Sequence, residues 1–274
     1  MNAHFYFQMS PHRSTPAGWL SERQARAQIS GELGNAYRHY LSRSCAPIYW
    51  FSRKGRPNFN SMRSGTVTIV ETPDRLLGIT AAHVIAQLLE DEEAEKQTVL
   101  IMNSQLTTID VIDIDDRLDI ATFGIDENTI ETIGKAVTPL TYWPPQPPLE
   151  GRGILLAGYP GISRQSKYVS ANKGAIEWGL FTAIGISGRV TDDQILWRVA
   201  RENTVPHPTI PDLPLNAELG GISGGPVISL MERGGVHFCV LSGIVSEASA
   251  QLELVVAKRA DFIQANGKID RRLA

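Results

Sequence analysis

The hexapeptide Gly221-Ile222-Ser223-Gly224-Gly225-Pro226 places one hydroxyl among glycines. Backbone amides in such a segment can converge on a point, because glycine reaches positive φ and leaves no Cβ in the way. Converging amides are what a developing tetrahedral oxyanion needs. A serine hydroxyl is still a poor nucleophile near neutrality and needs a base to take its proton as it attacks. Two other segments supply the missing groups. Ile79-Thr80-Ala81-Ala82-His83-Val84 sets an imidazole behind the apolar run Leu76 to Ile79. Leu118-Asp119-Ile120-Ala121 sets a carboxylate at the entry of an apolar run ending at Ile125. The ring titrates in the right range, and the carboxylate would fix its tautomer and stabilise the imidazolium. The order along the chain is His, Asp, Ser, with spacings of 36 and 104 residues. The chemistry implied is acyl transfer through Ser223.

Each of these residues has a competitor or a plainer reading. His83 is one of six histidines, and an ordinary packed or exposed ring is its alternative. Asp113, Asp115 and Asp116 also precede the apolar run and read as a solvated turn. Asp119 is preferred because it abuts the run directly, where a partly buried carboxylate needs a partner such as an imidazole. Asp116 is the reserve. Ser223 could sit in a structural tight turn, which its glycine neighbours argue against.

With these three segments in this order, the chain from about Ala46 to Ile263 resembles the chymotrypsin-like (trypsin-fold) serine peptidases. Thr80-Ala81-Ala82-His83 resembles the family's histidine motif, Asp119-Ile120-Ala121 its aspartate motif, and Gly221 to Pro226 its serine motif. The resemblance implies an all-β fold of two six-stranded antiparallel barrels with a short C-terminal helix, here preceded by an N-terminal helical extension. It makes His83 the general base and then acid, Asp119 its orienting group and Ser223 the nucleophile, with the amides of Gly221 and Ser223 as the oxyanion hole. It implies a serine endopeptidase acting on protein or peptide substrates. An inactive protease-fold protein that binds peptides or partners is the alternative, and an esterase or self-processing use of the same site shares the chemistry. One departure stands out. Ile222 occupies the position where the digestive members carry an aspartate that pairs with a new N-terminus, so no such ion pair is expected to order the oxyanion loop.

The same resemblance puts the base of the primary specificity pocket at Ala217, with Glu218 beside it, and the substrate-pairing strand edge at Ser246. Ala248 stands where the family commonly has glycine. These residues imply a small or medium apolar side chain before the cut. In the loop Glu202 to Leu215, Pro206, Pro208, Pro211 and Pro214 stiffen the chain ahead of the nucleophile; the loop could shape specificity or simply cap the second barrel.

The elements that must position this chemistry fall into four stretches. Residues 1–45 form a separate piece with a helix predicted over Ser21 to Leu41, capped by Ser21 and Gln24 as a capping box. Ala25, Ile29, Leu33, Tyr37 and Leu41 recur at four-residue spacing, so one face should dock, on the peptidase body or on a partner. Residues 46–142 read as the first barrel, with strands at Gly65 to Glu71, Arg75 to Thr80, Thr98 to Met102, Thr107 to Ile112 and Ile120 to Ile125, and a short helix after His83 whose acidic tail, Glu90 to Glu95, reads as solvated. The Pro-rich stretch 143–150 cannot continue a ladder and reads as a stiff connector. Residues 151–274 read as the second barrel, with strands at Gly153 to Gly158, between Ala175 and Val190, and at Gln194 to Ala200, Pro226 to Met231, Val236 to Val245 and Leu252 to Ala257. A closing helix is predicted over Arg259 to Gln264.

Composition narrows the rest. The chain has 274 residues, 42% hydrophobic and 20% charged, enough to bury a full core. A net charge of −3 offers no electrostatic reason for nucleic acid or an anionic membrane as a partner. No apolar run approaches a membrane span and no secretory leader is visible, so a cytoplasmic location is expected. Two cysteines, Cys45 and Cys239, fit a reduced compartment, and Cys239 reads as core. No His-Glu-x-x-His, Cys-x-x-Cys or phosphate loop is present, and the Asp-rich stretch lacks the glycine and glutamate of a calcium loop, so no metal or cofactor is implied.

Overall fold

A computed structural model describes residues 18–27, 32–52, 62–95, 98–103, 105–137, 143–170, 173–199, 217–249 and 253–273. The N-terminal piece carries two helices, α1 (Glu22–Ala27) and α2 (Glu32–Ser44), where one was expected; the intervening residues 28–31, with Ile29, lie outside the described residues. The capping box is present: the Ser21 amide donates to Gln24 Oε1 at 2.9 Å and the Gln24 amide to Ser21 Oγ at 3.4 Å. Ala25, Tyr37 and Leu41 are buried and Leu33 packs on the same core, so the helical face docks on the body of the chain.

The apolar runs between turn residues become strands. The first sheet contains β1 (Cys45–Ser52), β2 (Arg63–Glu71), β3 (Leu76–Thr80), β4 (Thr98–Met102), β5 (Gln105–Leu106), β6 (Asp110–Asp115) and β7 (Ile120–Gly124). Its order is β5-β4-β1-β2-β3-β7-β6, antiparallel throughout. The strand expected over Thr107 to Ile112 instead begins at Asp110 and runs on to Asp115 as β6, while Thr107 to Ile109 link it to β5. Helix α3 (Ala82–Glu95) leaves β3 and contains His83. Its tail is not merely solvated: Asp91 accepts from Trp50 Nε1 at 2.8 Å and pairs with Arg63 at 3.1 Å. Helix α4 (Glu127–Thr132), capped by Asp126, follows β7.

Past the Pro-rich stretch, whose Gln146 amide donates to Leu241 O at 3.0 Å, comes the second half. It contains β8 (Gly153–Gly158), the hairpin β9 (Arg164–Ser170) and β10 (Lys173–Trp178), then β11 (Phe181–Ile186), β12 (Arg189–Val190), β13 (Gln194–Arg198), β14 (Pro226–Arg233), β15 (Val236–Ser249) and β16 (Leu254–Arg259). The hairpin is a sheet of its own, and the rest form a seven-stranded antiparallel sheet in the order β11-β8-β14-β15-β16-β13-β12. Each large sheet thus has seven strands rather than six, and each includes a strand of two residues, β5 and β12.

Two details set the ends of the chain. Where β14 runs past β8, Leu20 fills the gap: its amide donates to Leu230 O at 3.1 Å and its carbonyl accepts from Gly153 N at 3.0 Å. The N-terminal piece is therefore laced into the second sheet. The closing helix expected over Arg259 to Gln264 is a single 3-10 turn, Ala260–Phe262, flanked by extended Arg259 and Ile263. Ile263 is drawn into a bridge with Ile269, and a ladder contact there excludes helical continuation.

Candidate active site

His83 enters the site on the first turn of α3, where helix amides lack intrahelical acceptors. Asp119 supplies one. The His83 amide donates to Asp119 Oδ1 at 3.0 Å, and the ring Nδ1 lies 3.0 Å from both carboxylate oxygens. A carboxylate at a helix N-terminus is further favoured by the dipole. Asp119 reaches this position through a left-handed backbone, φ 46°, a conformation that aspartate tolerates better than most side chains. Its neighbours hold the turn: Leu118 is buried, and its amide donates to Asp115 Oδ1 at 2.8 Å. Asp115 in turn pairs with Arg271 at 2.8 Å, as does Asp113, also at 2.8 Å. These two aspartates, expected to be solvated, brace the corner that holds Asp119. Asp116 is exposed at the cleft and makes no bond to His83 among the described residues.

The ring of His83 is 53% exposed on its side chain, against 16% for Asp119. The hydrogen bond to Asp119 raises the imidazole above its ordinary 6.5 despite the opposing effect of burial, and the charges of Asp119 and Glu247 act the same way. Burial pushes the Asp119 carboxyl upward, but hydrogen bonds from His83 and Ser246 outweigh it and hold the group below its ordinary 3.8. The Ser246 hydroxyl donates to Asp119 Oδ2. That link was not expected; Ser246 had been assigned only to the substrate-pairing edge.

Ser223 belongs to the second half. Leu219 to Ile222 form a turn closed by Ile222 N donating to Leu219 O at 3.2 Å, and Gly221 sits at its third position with φ 98°, the left-handed value that a type II turn demands there. Gly224, at φ 91°, has no room for a side chain: a Cβ would overlap the Thr66 carbonyl and the Thr80 hydroxyl. Two threonines on one face of β2 bind this loop to the first sheet. Thr66 Oγ1 donates to Gly221 O and Thr68 Oγ1 to Gly224 O, both at 2.8 Å, and the Thr66 amide donates to Ser223 O at 2.8 Å. The spacing Thr-x-Thr within an apolar strand was the available signal, since residues two apart share a face. Ile222 is buried in the second core, so apolar packing holds this turn.

Ser223 Oγ donates to Ser246 O at 2.9 Å, not to His83. Among the described residues, neither the amides of Gly221 and Ser223 nor His83 Nε2 has a hydrogen-bond partner. A cleft of about 680 Å³ is lined by His83, Asp119 and Asp116 from one half and by Gly220, Ser223, Ser246, Ala248 and Lys258 from the other; Gly221, the expected partner of Ser223 in the oxyanion hole, is not among its lining residues. Ala217 is buried and Glu218 exposed, and neither lines the cleft. The loop Glu202 to Leu215 lies outside the described residues. Lys258, which lines the cleft, carried no signal that set it apart from other strand residues.

No group of residues able to hold a metal ion occurs among the described residues. No described helix is long and apolar enough to cross a membrane. Neither cysteine is in a disulfide and both are buried; burial pushes the Cys45 thiol up to about 12 and raises that of Cys239 as well.

No protein-family model and no curated protein matches the chain. Among solved structures, the Rv3671c protease from M. tuberculosis in its active form is 16% identical, with 93% of this chain and 90% of that chain covered and a TM-score of 0.43. Its inactive form is 20% identical, covering 83% and 88%, with a TM-score of 0.43. The HtrA-type protease AlgW with a tripeptide is 16% identical, covering 81% and 59%, with a TM-score of 0.41. The two seven-stranded antiparallel sheets with a cleft between them are consistent with a two-barrel trypsin-like fold.

Proposed function

We propose that the chain is a serine endopeptidase that hydrolyses protein or peptide substrates through Ser223, His83 and Asp119. The observation that carries the reading is the carboxylate-fixed imidazole facing the same cleft as the glycine-flanked serine. With Nδ1–H donated to Asp119, His83 Nε2 keeps its lone pair. It takes the Ser223 proton as Oγ bonds to the scissile carbonyl carbon. The amides of Gly221 and Ser223 receive the oxyanion, and the imidazolium returns the proton to the leaving amine. Water then repeats the sequence to release the acyl group. Before attack, the Ser223 side chain turns from the Ser246 carbonyl toward Nε2. The substrate backbone pairs with β15 from Ser246 on, past Val245, whose amide donates to Gly225 O at 2.8 Å and whose carbonyl accepts from Gly224 N at 2.7 Å. Two buried cysteines outside any disulfide fit a reduced compartment such as the cytoplasm.

A second reading has an observation of its own. With Ser223 Oγ given to Ser246 O, a protein that binds peptides without cutting them would look the same at rest. A fluorophosphonate separates the two. Full-length wild type is expected to label without prior clipping, because Ile222 removes the need for a released N-terminus, and Ser223→Ala is expected not to label. Folded wild type that stays unlabelled would favour the binding protein.

A further inference from the structure

Strand β16 turns Val255 and Ala257 into the second core, so Val256 and Lys258 face the opposite side. On that side Lys258 lines the cleft. Its side chain is only 10% exposed, whereas Asp116, Arg117 and Glu247, the other charged residues of the lining apart from the triad, are exposed and screened by water. Asp119 is already engaged by His83 and Ser246. Lys258 is thus the one buried charge of the cleft, among the described residues, that is not part of the acid–base pair.

Its ammonium has one contact among the described residues, Asp193 Oδ2 at 3.3 Å. That carboxylate is also held by Thr191 Oγ1 at 3.0 Å and Gln194 Nε2 at 3.2 Å, so Asp193 does not depend on Lys258 for its own hydrogen bonds. An ammonium carries three donors, and a sheltered cation with donors to spare favours a carboxylate and repels another cation. β16 is also paired with β15, whose Ser246 and Ala248 line the cleft and whose Ser246 carbonyl holds the nucleophile.

We infer that Lys258 makes this cleft select an acidic side chain, Glu or Asp, on the acyl side of the scissile bond; the inference rests on the peptidase reading above. It departs from the small or medium apolar residue expected from Ala217 and Ala248, of which only Ala248 lines the cleft.

The test uses quenched-fluorescent peptides that differ only in the residue before the cut: Glu, Gln, Leu, Ala or Lys. kcat/KM for Glu should exceed that for its isostere Gln by about tenfold, the effect of one charge-assisted hydrogen bond. Lys258→Met should erase the ratio, and Asp193→Asn, which removes the competing carboxylate, should widen it. If Lys258→Met does not fold, wild type and Asp193→Asn decide. Labelled, active enzyme with a flat profile, or one led by Leu, Ala or Lys, overturns the acidic subsite and leaves the hydrolase intact. If wild type neither labels nor cuts, Ser223→Ala is titrated by fluorescence anisotropy with peptides ending in Glu or Gln. Tighter binding of the Glu peptide by about tenfold keeps the subsite and removes hydrolysis. Equal binding removes both.

Discussion

On the first sheet's side of the cleft, Asp119 accepts from the His83 main-chain amide and from one ring N–H shared between its two carboxylate oxygens. On the second sheet's side, Ser223 Oγ is bound to a carbonyl of β15 instead of to its base. The two halves are held by different means. The acid–base pair is set by backbone, through the first turn of α3 and the left-handed turn at Asp119, so it is complete without a ligand. The nucleophile's backbone is equally fixed by Thr66 and Thr68, but its hydroxyl direction is set by a single side-chain torsion. Torsions between staggered wells are easily changed, whereas helix ends and left-handed turns are not. On the peptidase reading, the Ser223 hydroxyl must turn away from Ser246 O toward His83 before attack, a change in that one torsion.

The strongest way to break this contrast is Ser223→Ala. On the peptidase reading, kcat should fall by about 10⁶-fold and fluorophosphonate labelling should vanish, while folding should change little, since only the bond to Ser246 O is lost. Residual turnover near the wild-type level would move the nucleophile elsewhere. Asp119→Asn attacks the other half and should lower kcat by about 10⁴-fold by leaving the wrong tautomer. It should also move the pH profile. His83 must be neutral to act, and its pKa is raised above 6.5 by Asp119, so the acid limb of kcat/KM in wild type should lie above 6.5 and fall back toward it in the variant. An acid limb that does not move would mean that Asp119 does not govern the imidazole.

Gly224→Ala tests the shared backbone instead of either reacting group. The added methyl would meet the Thr66 carbonyl and the Thr80 hydroxyl at a left-handed φ of 91°, so the loop must shift or unfold. Strain and overpacking together should cost about 2–5 kcal/mol, read from urea unfolding. Wild-type stability in this variant would show that the clasp between the sheets is looser than the threonine contacts imply.

The contrast also separates what sequence could and could not reveal. That His83, Asp119 and Ser223 meet at one cleft was legible because each stands beside glycine or an apolar run. Most long strands were legible for the same local reason, down to the bounds of β4 and β8. The supports were not. Ser246 acts on Asp119 across 127 positions, and Arg271 reaches Asp113 across 158, distances at which a serine and an arginine have no local signature. Lys258 looks like any lysine on a strand until the neighbouring strands show which face it is on. The helix expected after Arg259 failed because Ile263 is claimed by Ile269, a tertiary contact that outweighs local helix preference.

Ser246 touches both halves, so truncating it is the finest probe of the contrast. Its hydroxyl serves Asp119, while its carbonyl holds Ser223. Ser246→Ala removes only the first of these. The carboxylate keeps the His83 amide and ring, so the pair should persist, with kcat lowered by about tenfold, far less than in Asp119→Asn. The sign of the stability change follows from the depressed pKa of Asp119. A carboxyl held below its ordinary 3.8 stabilises the fold above that value and loses the contribution as pH falls through the folded value. With one donor gone, the depression shrinks. The variant should therefore be less stable than wild type by about 1 kcal/mol near neutrality, and the deficit should narrow in acid, once the carboxyl is protonated in both proteins. Urea midpoints across that range decide it: a deficit that stays constant into acid would mean that the hydroxyl is mere packing, and that the corner is held by His83 and Asp119 alone.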